Sequence, residues 1–181
     1  LSKIEQGKTE ASAEILAALF ERLGMCWLTD EKELAEGRRF VEDWYDALFS
    51  EEDRAFSSCE TASKSRFAAL ENSPLALDIL LLRQMGAEDA CPLDPRLEPC
   101  MDARQLAVQR LLSREYVQAA KLYPCAYMDL RIGTDAYGRG DTLAALENLQ
   151  KAYELAAAEG NVRVMLFAKL FITNCYSSIG D

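Results

Sequence analysis

Histidine is absent from the chain, and glycine and proline together account for only 14 of its 181 residues. Without histidine, neither a Ser-His-Asp nor a Cys-His catalytic site can be built. The six cysteines are scattered and include no Cys-x-x-Cys pair, so the clustered ligands of a structural zinc site are missing too. We therefore expect a protein that is not an enzyme and that carries no metal and no cofactor.

Long hydrophobic runs are also missing. The longest apolar runs are short, such as residues 75–82, which Asp78 interrupts. That is far short of the roughly 20 apolar residues that a helix needs to cross a bilayer. The first residues do not resemble a secretion leader, and the chain does not begin with methionine. We expect a cytoplasmic segment of a longer protein, with no membrane contact.

Positive charge is in deficit, with 20 Lys and Arg against 30 Asp and Glu, for a net charge of −10. Nucleic-acid binding depends on neutralising phosphates with Lys and Arg, so we expect no direct nucleic-acid contact by this segment. Solubility is the simplest role for the acidic surplus, and a preference for cationic partners is the alternative.

Half of the residues are apolar, and they recur at helical spacings of three, four and seven without a strand-like alternation. This pattern predicts an all-α fold. Asp30 with Glu33 is typical of a helix start, and Ser50 with Asp53 predicts another helix, whose apolar side extends to Phe67 and Leu70. A further helix is expected to begin at Ser73-Pro74, to end at Gly86 and, being apolar nearly all round, to be buried.

One long irregular stretch, residues 87–99, contains Pro92, Pro95 and Pro99 and predicts a boundary. Cys91 and Cys100 lie at its two ends; we expect free thiols there, and a disulfide is the alternative. The predicted organisation is an N-terminal helical region (divergent hairpins or a cap) at 1–90, a Pro-rich loop at 91–100, and helical repeats with an incomplete last repeat at 101–181.

The stretch "YGRGDTLAALENLQKAYELA" contains Arg139-Gly140-Asp141, the tripeptide of integrin-adhesion loops. It runs directly into an amphipathic helix pattern, so we interpret it as a turn between two helices. Gly140 would adopt the left-handed conformation that ends one helix, and Asp141 would cap the next. An adhesion role is not expected.

Residues 125–158 resemble a tetratricopeptide repeat. Gly133 is the small residue of a first helix, and Gly140-Asp141 forms the turn. The second helix has an apolar stripe in which small residues permit close packing, and Glu147 and Lys151 lie four apart on its solvent side. The expected stripe is Ala145, Leu149, Ala152 and Ala156.

Gly140-Asp141 and Gly180-Asp181 lie 40 residues apart, a period typical of stacked helical hairpins. On these motifs, residues 101–181 are similar to the repeat region of MalT-type LuxR-family bacterial transcription regulators. The resemblance implies antiparallel helical hairpins stacked as a tetratricopeptide-like right-handed solenoid. It also implies a sensing or assembly segment of a regulator, although neither a phosphate-binding loop nor a basic recognition helix is visible here.

In such a solenoid the first helix of each pair lines a concave groove. We expect that groove to bind a protein or peptide partner or a small effector, without catalysis. The alternative is a free-standing adaptor unrelated to transcription, and homo-oligomerisation stays open. The resemblance places the following residues in the groove: Tyr127, Leu130, Thr134 and Tyr137 from one hairpin, and Leu170, Asn174 and Ser177 from the next.

Overall fold

The computed structural model describes residues 12–24, 28 and 30–180 of the chain. Within that part the regular secondary structure is entirely helical, which confirms the all-α prediction. Two short 3-10 helices cover Ala68–Asn72 and Pro95–Cys100. The α-helices are α1 (Ala13–Arg22), α2 (Glu31–Phe49), α3 (Asp53–Lys64), α4 (Ala76–Gly86), α5 (Ala103–Leu112), α6 (Tyr116–Leu122), α7 (Ala126–Gly138), α8 (Thr142–Glu159) and α9 (Val162–Gly180).

Two helix starts follow the local rules closely. The Asp30 carboxylate accepts a hydrogen bond from the backbone N–H of Glu33 at 2.8 Å, which confirms the predicted start of α2. The Ser73 hydroxyl accepts one from the N–H of Leu75 at 3.0 Å, and α4 begins at Ala76, slightly later than predicted. As expected, α4 is largely buried; its fully buried apolar side chains are Ile79, Leu81 and Leu82.

The third helix is shorter than its apolar pattern predicts, because α3 ends at Lys64. Phe67 and Leu70 lie beyond it, after a change of chain direction at Ser65. Leu70 packs so closely on α2 that a Cβ at Gly37 would lie 2.6 Å from its Cδ2 atom. The packing of Leu70 against α2, which a straight extension of α3 would not allow, accounts for the bend.

The core consists of two hydrophobic clusters. The first is formed by α2 to α6, and the second by α7, α8 and α9. Tyr127 and Met128 of α7 belong to the first cluster, whereas Ala126 and Leu130 belong to the second. Helix α7 therefore lies between the two clusters and is covered on several sides.

The Pro-rich loop packs against the first cluster through Leu93 and Leu97. Buried Gln109 of α5 holds the loop at Leu93, accepting from its N–H at 2.9 Å and donating to its carbonyl at 2.7 Å. The core thus does not divide at this loop. Its two cysteines, Cys91 and Cys100, are exposed free thiols.

The α7–α8 hairpin is built as its motif predicts. Gly140 has a φ of +79°, and the Asp141 carboxylate accepts from the N–H of Ala144 at 3.1 Å, so the Arg-Gly-Asp tripeptide is a helix-to-helix turn. A Cβ on Gly133 would lie 2.7 Å from Cγ of Leu149, so the two helices approach closely where only glycine fits. The predicted stripe of α8 is completely buried: Ala145, Leu149, Ala152 and Ala156.

One expected pair on α8 is replaced by a longer-range contact. Lys151 donates from Nζ to Asp129 of α7 at 2.8 Å, and the Asp129 side chain is only 6% exposed. Glu147 forms no ion pair with any described residue. The buried Asp129 carboxylate needs a partner more than the solvated Glu147 does, and this accounts for the pairing across the hairpin.

Candidate interaction surface

The structure separates the residues that were predicted to line one groove. Leu130 is 2% exposed and belongs to the second cluster, so its predicted place in an open groove is wrong. The reason is that α7 lies between two clusters, which makes its apolar positions part of the core. Tyr127 is 4% exposed and is likewise not an open groove residue, although its side chain reaches a small cleft described below.

The other predicted groove residues remain partly or fully accessible. Tyr137 is half-buried and meets Phe171 of α9 edge to face, with ring centroids 5.6 Å apart. Thr134 is half-buried, and its hydroxyl donates to the carbonyl of Arg131 at 3.1 Å. On α9, Leu170 and Ser177 are exposed and Asn174 is half-buried. The structure therefore brings α7 and α9 together at Tyr137 and leaves part of α9 open to solvent.

A cleft of about 210 Å³, which we call the α7 cleft, lies where the α2–α3 connection meets α7. It combines apolar side chains with both signs of charge, a composition suited to binding a ligand that has polar and apolar parts. Its lining consists of Ala47, Leu48, Glu51, Glu52, Asp53, Phe56, Met85, Tyr127 and Arg131.

Glu51 occupies a backbone conformation that glycine favours, with a φ of +56°. Two hydrogen bonds hold it there. Its N–H donates to the carbonyl of Leu48 at 3.2 Å, and its carbonyl accepts from Nε of Arg163 at 2.8 Å. A residue with a side chain pays about 1–2 kcal/mol for this conformation, so the surrounding structure must impose it.

Burial is the main cause of the shifted pKa values of the acidic groups in the α7 cleft. Burial raises the pKa of the Glu51 carboxyl above its usual value, and the positive charges of Arg131 and Arg163 offset part of that effect. Burial also raises the pKa of the Tyr127 hydroxyl. Arg131 forms no ion pair with any described carboxylate, and its guanidinium lies 5.6 Å from the centroid of the Tyr116 ring.

Neither Glu51 nor Arg131 stands out in the amino-acid sequence. Glu51 belongs to the acidic run Glu51-Glu52-Asp53, a composition typical of helix starts and soluble surfaces, and its positive φ depends on the turn geometry. Arg131 has Asp135 four residues later, which predicts an ordinary pair on the helix surface. In the structure Asp135 pairs instead with Arg139, leaving the Arg131 guanidinium available to the cleft.

Comparisons with protein-family models, with curated proteins and with solved structures give no significant match. In the described part of the chain, no three Cys, Asp or Glu residues are grouped so that they could hold a metal ion. Among the described helices, none is both long enough and apolar enough to cross a membrane.

Proposed function

We propose that this chain is a non-catalytic interaction module that binds a peptide segment of a partner protein in the α7 cleft. The observation that carries the proposal is the arrangement of Glu51 and Arg131. They line the same cleft from two different elements, and neither forms an ion pair with a described residue. Neither side chain has a salt-bridge partner that a bound molecule would have to displace, and each charge favours the charged form of the other across the cleft.

A peptide backbone matches this pair of groups. Each peptide unit offers an N–H donor and a carbonyl acceptor; the Glu51 carboxyl can accept from the N–H, and the Arg131 guanidinium can donate to the carbonyl. Phe56 and Met85 add apolar contact, and methionine adapts readily to different side chains. A volume of about 210 Å³ has room for one side chain of the peptide, not for a whole folded element.

The wider architecture supports a repeat scaffold. Tyr137 and Phe171 touch across α7 and α9 and lie 34 positions apart, the length of one tetratricopeptide repeat. We therefore retain the proposal of a tetratricopeptide-like right-handed solenoid, presented by a MalT-type regulator or by a free-standing adaptor. The link to transcription is a prediction from sequence resemblance.

Selection from a library of random peptides displayed on phage, with the purified chain as target, tests the proposal. We expect enriched peptides to lose binding to Arg131→Gln, which keeps polarity and removes the cation. They should also lose binding to Glu51→Gly, which keeps the left-handed turn and removes the carboxyl group. Arg139→Gln is the control; it removes a cation just after the last residue of α7, outside the cleft, and should bind like the unmodified chain.

Circular dichroism of each variant separates loss of binding from loss of fold. If the enriched peptides bind Arg131→Gln as tightly as the unmodified chain, the α7 cleft is not the site. If repeated rounds enrich no peptide at all, the interaction-module proposal is wrong for peptide ligands.

A further inference from the structure

Among the described residues, two non-glycine residues have a left-handed backbone, Glu51 and Arg114. Glu51 lines the α7 cleft, and Arg114 lines a separate cleft between α6 and α7. Arg114 is in the turn between α5 and α6, with a φ of +60°. The turn itself is held by backbone bonds, from the N–H of Arg114 to Leu111 at 2.9 Å and from the N–H of Glu115 to Arg110 at 2.8 Å.

The side chain of Arg114 has no evident structural role. It is exposed and forms no ion pair or hydrogen bond with another described residue. Glycine would adopt the same backbone conformation without the steric cost that an arginine bears. An exposed, unpaired cation at a left-handed position is therefore a candidate for contact with another molecule.

Two clefts flank α6 and share Glu115 and Gln118. The larger, of about 750 Å³, lies between α6, α5 and the Pro95–Cys100 helix, and the smaller, of about 310 Å³, lies between α6 and α7. We call the exposed strip between them the α6 surface. It consists of Arg114, Val117, Gln118, Lys121 and Leu122.

The α6 surface joins apolar and cationic groups on one side of the helix. Val117 is 54% exposed, and Lys121 follows it by four residues, so the two side chains are neighbours. Leu122 is 36% exposed and follows Gln118 by the same interval. The strip therefore offers two apolar contacts flanked by two positive charges.

Each cleft alone is lined by equal numbers of cations and carboxylates, but because Glu115 is shared, the two together have four cations and three carboxylates, a net charge of +1 in a chain of net charge −10. Arg110 is neutralised by Glu98 at 2.7 Å and by Glu115 at 3.5 Å, and Arg139 pairs with Asp135. Arg114 and Lys121 have no such partner among the described residues. The uncompensated charge at α6 is therefore cationic, which selects for an acidic partner and against a basic one.

We propose that the α6 surface docks an acidic, amphipathic segment of a partner protein. Its apolar side chains would contact Val117 and Leu122, and its carboxylates would pair with Arg114 and Lys121. This surface is distinct from the α7 cleft, and the proposal does not depend on peptide binding there.

Fluorescence anisotropy with a labelled synthetic helical peptide of Leu, Ala and Glu, its Leu residues on one face, measures this docking. A peptide of the same pattern with Lys in place of Glu is the charge-reversed probe. We expect the acidic probe to bind, the basic probe to bind at least about tenfold more weakly, and the affinity for the acidic probe to fall with added salt.

The informative variant is Arg114→Gly. It should weaken binding of the acidic probe about three- to tenfold while the melting temperature stays equal or rises, because glycine relieves the backbone strain. Lys121→Gln should weaken binding by a similar factor. Arg39→Gln, which removes an exposed cation of α2, should leave the affinity unchanged.

Three results would overturn the proposal. The first is equal affinity for the acidic and basic probes, the second is no binding of the acidic probe, and the third is unchanged affinity in both Arg114→Gly and Lys121→Gln. A loss of affinity in Arg39→Gln equal to that in Lys121→Gln would also overturn it, since binding would then follow overall charge instead of the α6 surface.

Discussion

Nε of Arg163, at the start of α9, donates a hydrogen bond to the backbone carbonyl of Glu51, with 2.8 Å between the two atoms. A second bond runs in parallel, from Nδ2 of Asn161 to the carbonyl of Phe49 at 3.1 Å. Together they join the α8–α9 turn to the α2–α3 connection. The α7 cleft thus lies beside two hydrogen bonds that connect the segments of the two hydrophobic clusters. Glu51 accepts one of these bonds with its carbonyl and also lines the cleft.

Glu51 should make stability depend on pH in a specific direction. Burial raises the pKa of its carboxyl above 4.5, so the folded protein holds this proton more tightly than the unfolded chain does. The stability that this group contributes is fully present below pH 4.5 and is lost as the pH rises through the pKa of the folded state. Glu51→Gln should therefore unfold at higher urea concentration than the unmodified chain at neutral pH, and the two should converge in acid.

Glu42 should make stability depend on pH in the opposite direction. A bidentate hydrogen-bonded pair with Arg104, at 2.6 and 2.7 Å, lowers the pKa of the Glu42 carboxyl below 4.5. The stability it contributes is present above 4.5 and is lost as pH falls through the folded pKa. Glu42→Gln should lower the urea midpoint at neutral pH and have little effect in strong acid. If both variants shifted the midpoint in the same direction at neutral pH, one of the two assignments would be wrong.

Gly133 should not tolerate even a methyl group. A Cβ there would lie 2.7 Å from Cγ and 3.1 Å from the backbone N of Leu149, and the backbone of α8 cannot move freely. We expect Gly133→Ala to lower the free energy of unfolding by about 1–3 kcal/mol, the usual cost of overpacking. Urea denaturation followed by circular dichroism measures it.

Gly138 is the matched control, because it ends the same helix and a Cβ there would meet nothing within 4 Å. Gly138→Ala should be neutral or stabilising by up to about 1 kcal/mol. Equal destabilisation by the two substitutions would contradict the role of the contact with α8 at Gly133, because helix propensity alone favours alanine over glycine.

The parts of the fold that the sequence predicts correctly depend on short-range rules. The turn at Gly140-Asp141 needs a left-handed residue followed by a helix cap, and two adjacent residues in the sequence meet both requirements. The α8 stripe follows from helical spacing alone. For the same reason, the apolar pattern of α7 predicts a packed helix but cannot tell whether Leu130 faces a groove or a second cluster.

The features that the sequence does not predict depend on contacts between distant segments. The end of α3 reflects the fit of Leu70 against Gly37, which no local pattern encodes. Glu51 and Arg114 are residue types that ordinarily avoid a positive φ, so composition points away from their actual conformation. Glu51 lines the α7 cleft and Arg114 belongs to the α6 surface, so neither candidate surface could be predicted from helical spacing. Of the residues predicted to line a groove, only Tyr127 lines one of these clefts.

The pairing of Lys151 with Asp129 can be tested against the local alternative with Glu147. Lys151→Ala should leave the nearly buried Asp129 carboxylate without its partner and cost about 1–3 kcal/mol of unfolding free energy. Glu147→Ala should change that free energy by less than about 0.5 kcal/mol. A larger loss in Glu147→Ala than in Lys151→Ala would contradict the contact across the hairpin.

Cysteine reactivity should rank the thiols by burial. Burial raises the pKa of the Cys125 thiol to about 11, so only about 0.1% of it is thiolate at pH 8, whereas Cys91 and Cys100 are exposed. With a brief pulse of iodoacetamide and peptide mapping by mass spectrometry, we expect Cys91 and Cys100 to be alkylated first and Cys125 far more slowly. Cys26 lies outside the described residues, so its alkylation rate is measured without an expected value.

The same cysteines in guanidinium chloride provide the control, because unfolding removes the burial of Cys125 and should bring its rate to that of Cys91. Fast alkylation of Cys125 in the native protein would contradict its packing against the first cluster. Mapping without reductant also decides the alternative raised for the Pro-rich loop. A peptide cross-linked through Cys91 and Cys100 would contradict the free thiols, and it would predict a gain in stability over the reduced chain, since a closed loop restricts the unfolded state.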